Sequence, residues 1–428
     1  MWRGKMSWPI VPLARVVEVE SGFGFPPEYQ GVLRETVPFF KVSDMNLSKN
    51  SREMREWNNT ISRETLVKIK AKTFPAGTVI FPKIGAAIAT GKKRRLVCDG
   101  TFDNNVMGLV PRNVVAGFLY YWTLQFDFTT ISNIGPVPSI RKTTVEALPF
   151  PFPATKEQGR IVELLDQADW LRLQRTEGDA LGHQILPTLF RRSFGDPATN
   201  PKGWPTKPVR QALRMMSGGT PSKENAEFWN GNIPWVSPKD MKSVIISDTE
   251  DHITEDAIKN SAASLVPEGA AMMVVRSGIL AHSVPVALAA RSMAINQDLK
   301  GMAPNPEETE GLEPYYVLAW LLTSKQTLLG CVKRGATVHS IDSGSFQALP
   351  FMLPPPQVQE PFVRQFKELL ALQVKQKESA SMIENLFATM LHRAFTGELT
   401  AKWREAHVKE LLAEMEQQAR LLNLPRAA

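Results

Sequence analysis

Residues 147–153 read ALPFPFP and residues 348–354 read ALPFMLP, the same opening 201 positions later. At that offset Ser139-Ile140 matches Ser340-Ile341, Gln158 matches Gln359, Val162 matches Val363, and Arg192 and Phe194 match Arg393 and Phe395. Upstream the offset drifts, as it does when loops differ in length. Phe74-Pro75-Ala76-Gly77 answers Val266-Pro267-Glu268-Gly269. Asp103-Asn104-Asn105-Val106-Met107-Gly108 answers Asn296-Gln297-Asp298-Leu299-Lys300-Gly301, and Leu119-Tyr120-Tyr121 answers Pro314-Tyr315-Tyr316. Val42-Ser43-Asp44-Met45 answers Val236-Ser237-Pro238-Lys239-Asp240-Met241, with Ser21-Gly22 answering Ser217-Gly218. Matches in a common order make the chain two diverged copies of one unit.

Each copy has two parts. The first is rich in Gly and Pro with short apolar runs such as TVIF (78–81) and AMMVV (271–275), which predicts short strands, turns and a few short helices. The second follows the proline punctuation, a helix start. Apolar residues then step as Phe362, Phe366, Leu369, Ala380, Ile383, Phe387, Met390 and Ala394, with Gln373 and Gln376 at the two central steps. That alternating spacing is a coiled-coil seam. In the first copy Ile161, Leu164, Ala168 and Leu171 begin a face and Leu181, Ile185 and Leu189 end one. Arg175, Gly178 and Asp179 interrupt its centre, and Pro187 is expected to kink or shorten its last turns. A helix of about 35 residues is roughly 50 Å long, and two such stripes invite mutual burial. The boundaries that follow are 1–152, a globular unit; 153–197, a central helical spacer; 198–353, a second globular unit; 354–399, a C-terminal helical spacer; and 400–428, an amphipathic helical tail.

Hydrophobic content of 43% and charged content of 22% across 428 residues describe a folded, multi-domain protein. A net charge of +7 favours a polyanionic partner, nucleic acid before an anionic membrane surface. Cys98 and Cys331 lie far apart without Cys or His at metal-ligand spacing, so no metal site or disulfide framework is expected and a reducing cytoplasm fits. No apolar run is long enough to span a bilayer or to form a signal peptide.

Catalytic patterns are missing. An amino-methyltransferase loop would need Asn/Asp-Pro-Pro-aromatic, and the nearest approach is Asn200-Pro201-Lys202-Gly203-Trp204. The phosphate-cradling GxxxxGK[ST] loop, the Gly-x-Ser-x-Gly elbow and His-Glu-x-x-His are absent, and His252, His282 and His339 are scattered. Binding residues are better represented. Lys92-Lys93-Arg94-Arg95 is a cationic run suited to phosphate neutralisation, although such a run is commonly just a solvated turn. Lys41, Lys83, Arg141 and Lys142 lie near motif positions of the first copy, and Lys239, Arg276, Lys333 and Arg334 near those of the second. Asn104, Asn105, Asn296 and Gln297 are amides able to pair with adenine N6 and N7.

GGTPSKENAEFWNGNIPWVSPKDM (218–241), VPEGAAMMVVRSG, INQDLKGM and GATVHSID resemble the target-recognition motifs of the specificity (S) subunit of bacterial type I restriction-modification systems. LPPPQVQEPFV and MLHRAFTGEL resemble that family's helical spacer. The first copy carries the series more weakly as FPAGTVIFPKIG, FDNNVMG, ALPFPFPATKEQGRIV and LFRRSFGD. The resemblance implies an α+β fold of two pseudo-repeated mixed α/β target-recognition domains joined by two long antiparallel coiled-coil helices. Each domain would read one half of a split double-stranded DNA target, and the helices would set the gap. The Gly-Thr-Pro-Ser loop would be a scaffold packed by Trp229 and Trp235 and presenting Thr220, Ser222, Lys223, Ser237 and Lys239 to DNA. Ser277, His339 and Ser340 would join them, with Ser43 in the first copy. The chain would have no catalysis and no cofactor of its own. S-adenosylmethionine, ATP and Mg would belong to partners: two methyltransferase subunits and, for cleavage, restriction subunits. The tail after residue 400 would dock on the methyltransferase or cap the helices. The competing readings are a DNA methyltransferase or endonuclease with diverged motifs, and a helix-pairing scaffold that binds no DNA.

Overall fold

The computed structural model describes residues 8–133 and 135–422, the side chains of Ala180, Leu181 and His183 excepted. The chain forms two compact units: Met1–Gln174 with Ala380–Ala428, and Arg175–Ser379.

Unit 1 is built on a five-stranded sheet of β1 (Val17–Ser21), β2 (Glu53–Met54), β3 (Val79–Pro82), β4 (Arg94–Leu96) and β5 (Val106–Pro111), in the order β1-β5-β3-β4-β2. On β1, Val17 and Val19 are buried while Glu18 and Glu20 face outward and pair with Arg112 and Lys72. That alternation is a strand with one wet face. Central β3 is buried at every position, so it reads as an unbroken apolar run. A smaller sheet places Val37–Phe40 between Thr60–Ile61 and Thr101–Phe102. Helix α1 (Ala116–Gln125) is apolar on all sides because it is buried on all sides. The Asp166 carboxylate, on the long helix that begins at Thr155, accepts from the Arg52 guanidinium and the Tyr121 hydroxyl.

Unit 2 repeats this. Its sheet runs β6-β10-β8-β9-β7, formed by β6 (Leu213–Ser217), β7 (Ile245–Ile246), β8 (Ala271–Val274), β9 (Val286–Ala289) and β10 (Leu299–Pro304). The strand order is that of unit 1. Gln158 and Gln359 occupy one structural position: each carbonyl caps a helix start, accepting from Val115 N at 2.9 Å and Glu313 N at 3.0 Å, and each amide donates to a proline carbonyl. Two matches made from sequence shift. Phe118 and Trp122 contact Phe150 as Tyr316 and Trp320, on α3 (Pro314–Thr323), contact Phe351, so Tyr121 is not the counterpart of Tyr316. Asp44 and Asp240 both cap a turn, on the amides of Lys41 and Ser237. Ser237 therefore answers Lys41, and the Val-Ser pairs are not equivalent. Shared turn residues aligned the chains where the common residue type was an accident.

Two 40-residue helices cross between the units in sequence, α2 (Thr155–Phe194) and α4 (Pro356–Phe395). Pro187 neither ends nor shortens α2, which continues to Phe194. On α2 the buried positions are Ile161, Leu165 and Ala168, whereas Leu171 is exposed, so the face runs through Leu165 in place of Leu164. All ten seam positions of α4 from Phe362 to Ala394 are buried or half-buried. In unit 1, Arg172 Nε lies 2.9 Å from Glu384 and its guanidinium 4.2 Å from the Phe387 ring. In unit 2, Phe362 packs on Phe190 and Phe194, and Gln376 reaches Gly182. In unit 2 these contacts run from Phe190 and Phe194 on Phe362 to Gly182 by Gln376, so there residue numbers fall along α2 as they rise along α4.

The tail is not free. Helices α5 (Ala401–Ala406) and α6 (Val408–Leu421) lie against the start of α2, where Thr400 and Arg404 donate to Glu157 and Gln418 to Thr155. Leu422 enters the core of unit 1. Residues 423–428 lie outside the described residues.

Candidate nucleic-acid interface

In unit 1 the chain leaves β1 at Ser21-Gly22 and passes over the turn that precedes β5. A Cβ on Gly22 would stand 2.0 Å from the Asp103 carbonyl oxygen, so only glycine fits. Asp103 folds the turn by accepting from the Asn105 amide N at 3.2 Å, which leaves Asn104 and Asn105 exposed. Lys83, at the end of β3, donates to Ser21 Oγ at 3.0 Å. Lys41 donates to Gln30 Oε1 at 2.9 Å. Burial raises the Asp103 carboxyl above its ordinary value, with Asn105 and Lys41 opposing, and burial lowers Lys83 against the pull of Asp103. Lys41, Lys83, Asn104 and Asn105 are thus brought around one turn. Ser43 lies exposed on the adjoining Val42–Asn46 turn. Arg141 and Lys142 are exposed at the start of the Lys142–Glu146 helix.

The Lys92–Arg95 run is not the solvated cluster its sequence implies. Lys93 is 6% exposed, donates to Phe126 O at 3.0 Å and lies 5.4 Å from the Phe128 ring. Arg94 donates to the carbonyls of Lys93 and Met45, while Lys92 and Arg95 bond Asn46 and Glu53. Burial lowers both Lys93 and Arg94 from their ordinary values. Strand β4 begins only at Arg94, so Lys93 lies in the connection before it and turns inward onto Phe126 O, while Arg94 and Arg95 leave the strand on opposite faces.

Unit 2 rebuilds the turn with other residues. A Cβ on Gly218 would lie 1.9 Å from Ile295 O, and Asn296 Oδ1 accepts from Asp298 N at 3.0 Å. Gln297 projects from this turn, exposed, its carbonyl accepting from Thr220 Oγ1 at 2.5 Å. The tryptophans hold the loop that carries Thr220. Trp235, 6% exposed, donates from Nε1 to Gly219 O at 3.0 Å, and Trp229 donates to Ser222 O at 3.0 Å. Their rings meet edge to face with centroids 5.3 Å apart. Lys223 and Ser222 remain exposed. A three-stranded patch places Arg276-Ser277 and Lys333 on either side of His339–Ile341. Arg276 Nε lies 3.9 Å from Asp298, beside Gln297, and Arg334 is exposed next to Lys333.

Several expected contact residues are already engaged. Ser237 is buried and caps its own turn on Asp240. Lys239 is held by Asp251 at 2.9 Å and Glu250 at 3.1 Å, which raises it above the ordinary lysine value. Ser277 Oγ accepts from Ile279 N at 3.4 Å, and His339 Nδ1 from Gly335 N at 3.2 Å. Lys333 pairs with Asp342 at 2.7 Å and holds that carboxyl down at about 2. Sequence reasoning missed Lys300, whose ammonium bonds Ser217 Oγ. The signal was available, since Lys300 stands in the INQDLKGM motif itself. Among the described residues no group of three or more His, Cys, Asp or Glu side chains could hold a metal ion. No helix there is long and apolar enough to cross a membrane.

The fold and the repeated turn define a tandemly duplicated α/β protein with one candidate contact surface per copy. The model of the type I restriction modification DNA specificity domain matches residues 7–179 and 201–386, and the chain belongs to that family. It is 31% identical over 252 residues to the type I restriction enzyme EcoR124I/EcoR124II specificity subunit of Escherichia coli, covering 57% of this chain and 60% of that protein. The chain spans 41% to 60% of the length of the first curated relatives it matches. Its fold is shared with a chain from work on complex assembly and conformational transition of the type I R-M system. That match has a TM-score of 0.57 at 16% identity, covering 93% of this chain and all of that one. The type I restriction-modification S subunit of M. genitalium superposes with a TM-score of 0.52 at 11% identity, over 92% of this chain and 97% of that one.

Proposed function

We propose that this protein is the sequence-reading, non-catalytic subunit of a type I restriction-modification enzyme, with each unit contacting one half of a bipartite double-stranded DNA target. One observation carries the reading. The two units keep the same glycine-crossed turn and change the side chains displayed on it, Asn104-Asn105 in one and Gln297 with Thr220 in the other. A constant scaffold with variable amides and hydroxyls is what reading two different half-sites requires. Lys223, Arg276 and Arg334, with Arg141 and Lys142 in unit 1, supply positive charge for phosphates. The helices α2 and α4 form the antiparallel coiled-coil spacer of this reading, the boundaries at 152, 197, 353 and 399 separate recognition domains from spacer, and the setting is the cytoplasm. Two methyltransferase subunits carrying S-adenosylmethionine would supply the chemistry, with ATP- and Mg-dependent restriction subunits for cleavage.

Exchanging residues 205–345 for the same region of a relative, followed by methylation-site mapping, tests the reading. Replacement of one half-site with the other unchanged supports it; alteration of both together overturns it. Methyl transfer or cleavage by the purified chain alone would instead establish the enzyme alternative.

A further inference from the structure

Ser21 and Ser217 close the first strand of each sheet, and each hydroxyl is bonded by a lysine ammonium. The two lysines are not equivalent in the repeat. Ser21 lies opposite Met107 and Ser217 opposite Lys300, so Lys300 stands where unit 1 has Met107. Lys83 donates its backbone N–H to Asn105 O as Val275 does to Asp298 O, and each accepts from the Ile of its Ser-Ile pair, Ile140 or Ile341. Lys83 therefore stands where unit 2 has Val275. The copies have exchanged an apolar residue and a lysine between neighbouring strands, yet each brings one ammonium to the same hydroxyl. Packing alone gives no reason for that convergence, because a serine at a strand end is readily satisfied by water.

We propose that Lys83 and Lys300 are the paired phosphate-contacting cations of this protein, one per unit, each oriented by its strand-end serine beside the amide-bearing turn. The inference rests on the DNA-recognition reading and deepens it. An ammonium has three N–H donors and the serine occupies one, which leaves donors for a phosphate oxygen. Each lysine is half-buried, so its position is fixed before an anion arrives, whereas Asn104, Asn105 and Gln297 next to it are exposed. A backbone contact at this place would set the register in which those amides meet base edges.

The test measures binding of a random-sequence 30-base-pair duplex by the full-length chain across a salt series. Each neutralised phosphate contributes about 0.9 to the slope of log affinity against log salt. Lys83→Gln and Lys300→Gln should each lower the slope by about one, and together by about two, while Lys83→Arg and Lys300→Arg retain it. Lys409→Gln, an equal loss of charge on α6, sets the effect of net charge alone. Slopes equal to that control, with a lowered melting temperature, would make the pairs structural and overturn the inference while leaving DNA recognition standing. A parent chain with no salt-dependent DNA binding would overturn both readings.

Discussion

Glu157, in the first turn of α2, and Arg404, on α5, form an ion pair across 247 residues of sequence, Oε1 to Nε 2.7 Å, with side chains 1% and 11% exposed. Thr400 bonds the same oxygen and Trp8 the other, and the guanidinium lies 5.1 Å from the Trp8 ring. The tail is thereby part of unit 1.

Removing one partner of a buried pair strands the other charge, at a cost of about 3–5 kcal/mol. Arg404→Ala should therefore lower the stability of unit 1 by that order, and Glu157→Gln with Arg404→Met should recover much of it. Urea denaturation followed by tryptophan fluorescence checks this. An Arg404→Ala protein as stable as the parent would show the tail to be peripheral.

Lys93→Ala is expected to destabilise the fold and leave the salt dependence of DNA binding unchanged, because its ammonium is satisfied by Phe126 O inside unit 1. The lost bond to a charged donor is worth about 1.5–3 kcal/mol. Thermal melting and a salt titration of binding together separate this from a phosphate-contact role, which would show the opposite pattern.

Gln297 has its carbonyl engaged by Thr220, so its NH2 is the group left to donate to a base edge. Gln297→Ala should cost about 1–3 kcal/mol at one position of the target and leave the other half-site intact. Thr220→Val should relax the same position by less. Methylation-site mapping in cells carrying each variant reads both; loss spread evenly over all positions would place Gln297 away from the bases.

Asp342 sits at about 2, depressed first by the Lys333 ammonium and then by Ser345. Its folded value lies below the unfolded one, so its stabilising contribution is complete above about pH 4. It is lost as pH falls towards 2. A carboxyl carbon NMR titration should place its midpoint near 2 and Lys333→Ala should move it up. A midpoint at the ordinary aspartate value in the parent would show the pair unformed in solution.

The repeat, the α4 seam and the packing role of Trp229 and Trp235 were legible because each rests on spacing or on local residue chemistry. The Lys92–Arg95 run misled because four like charges look alike in sequence, whereas the fold turns Lys93 inward onto Phe126 O and pairs Arg95 with Glu53. The match of Tyr121 to Tyr316 followed an identity, while packing on Phe150 and Phe351 set the true register through Trp122 and Trp320. Lys300 was overlooked because its counterpart in the repeat, Met107, carries no charge, and the equivalence with Lys83 exists only in space.

Unit 2 is continuous in the chain, but unit 1 needs Phe387, Ala394 and Leu422 in its core. During synthesis the first 174 residues leave the ribosome long before those residues exist. The N-terminal core must wait, its apolar face around Phe118 and Tyr121 unsealed, while unit 2 is made and can fold. A chain interrupted between Ser379 and Phe387 would thus carry two regions of different fate: a unit 2 with its own core complete, and an N-terminal segment exposed to proteolysis and aggregation.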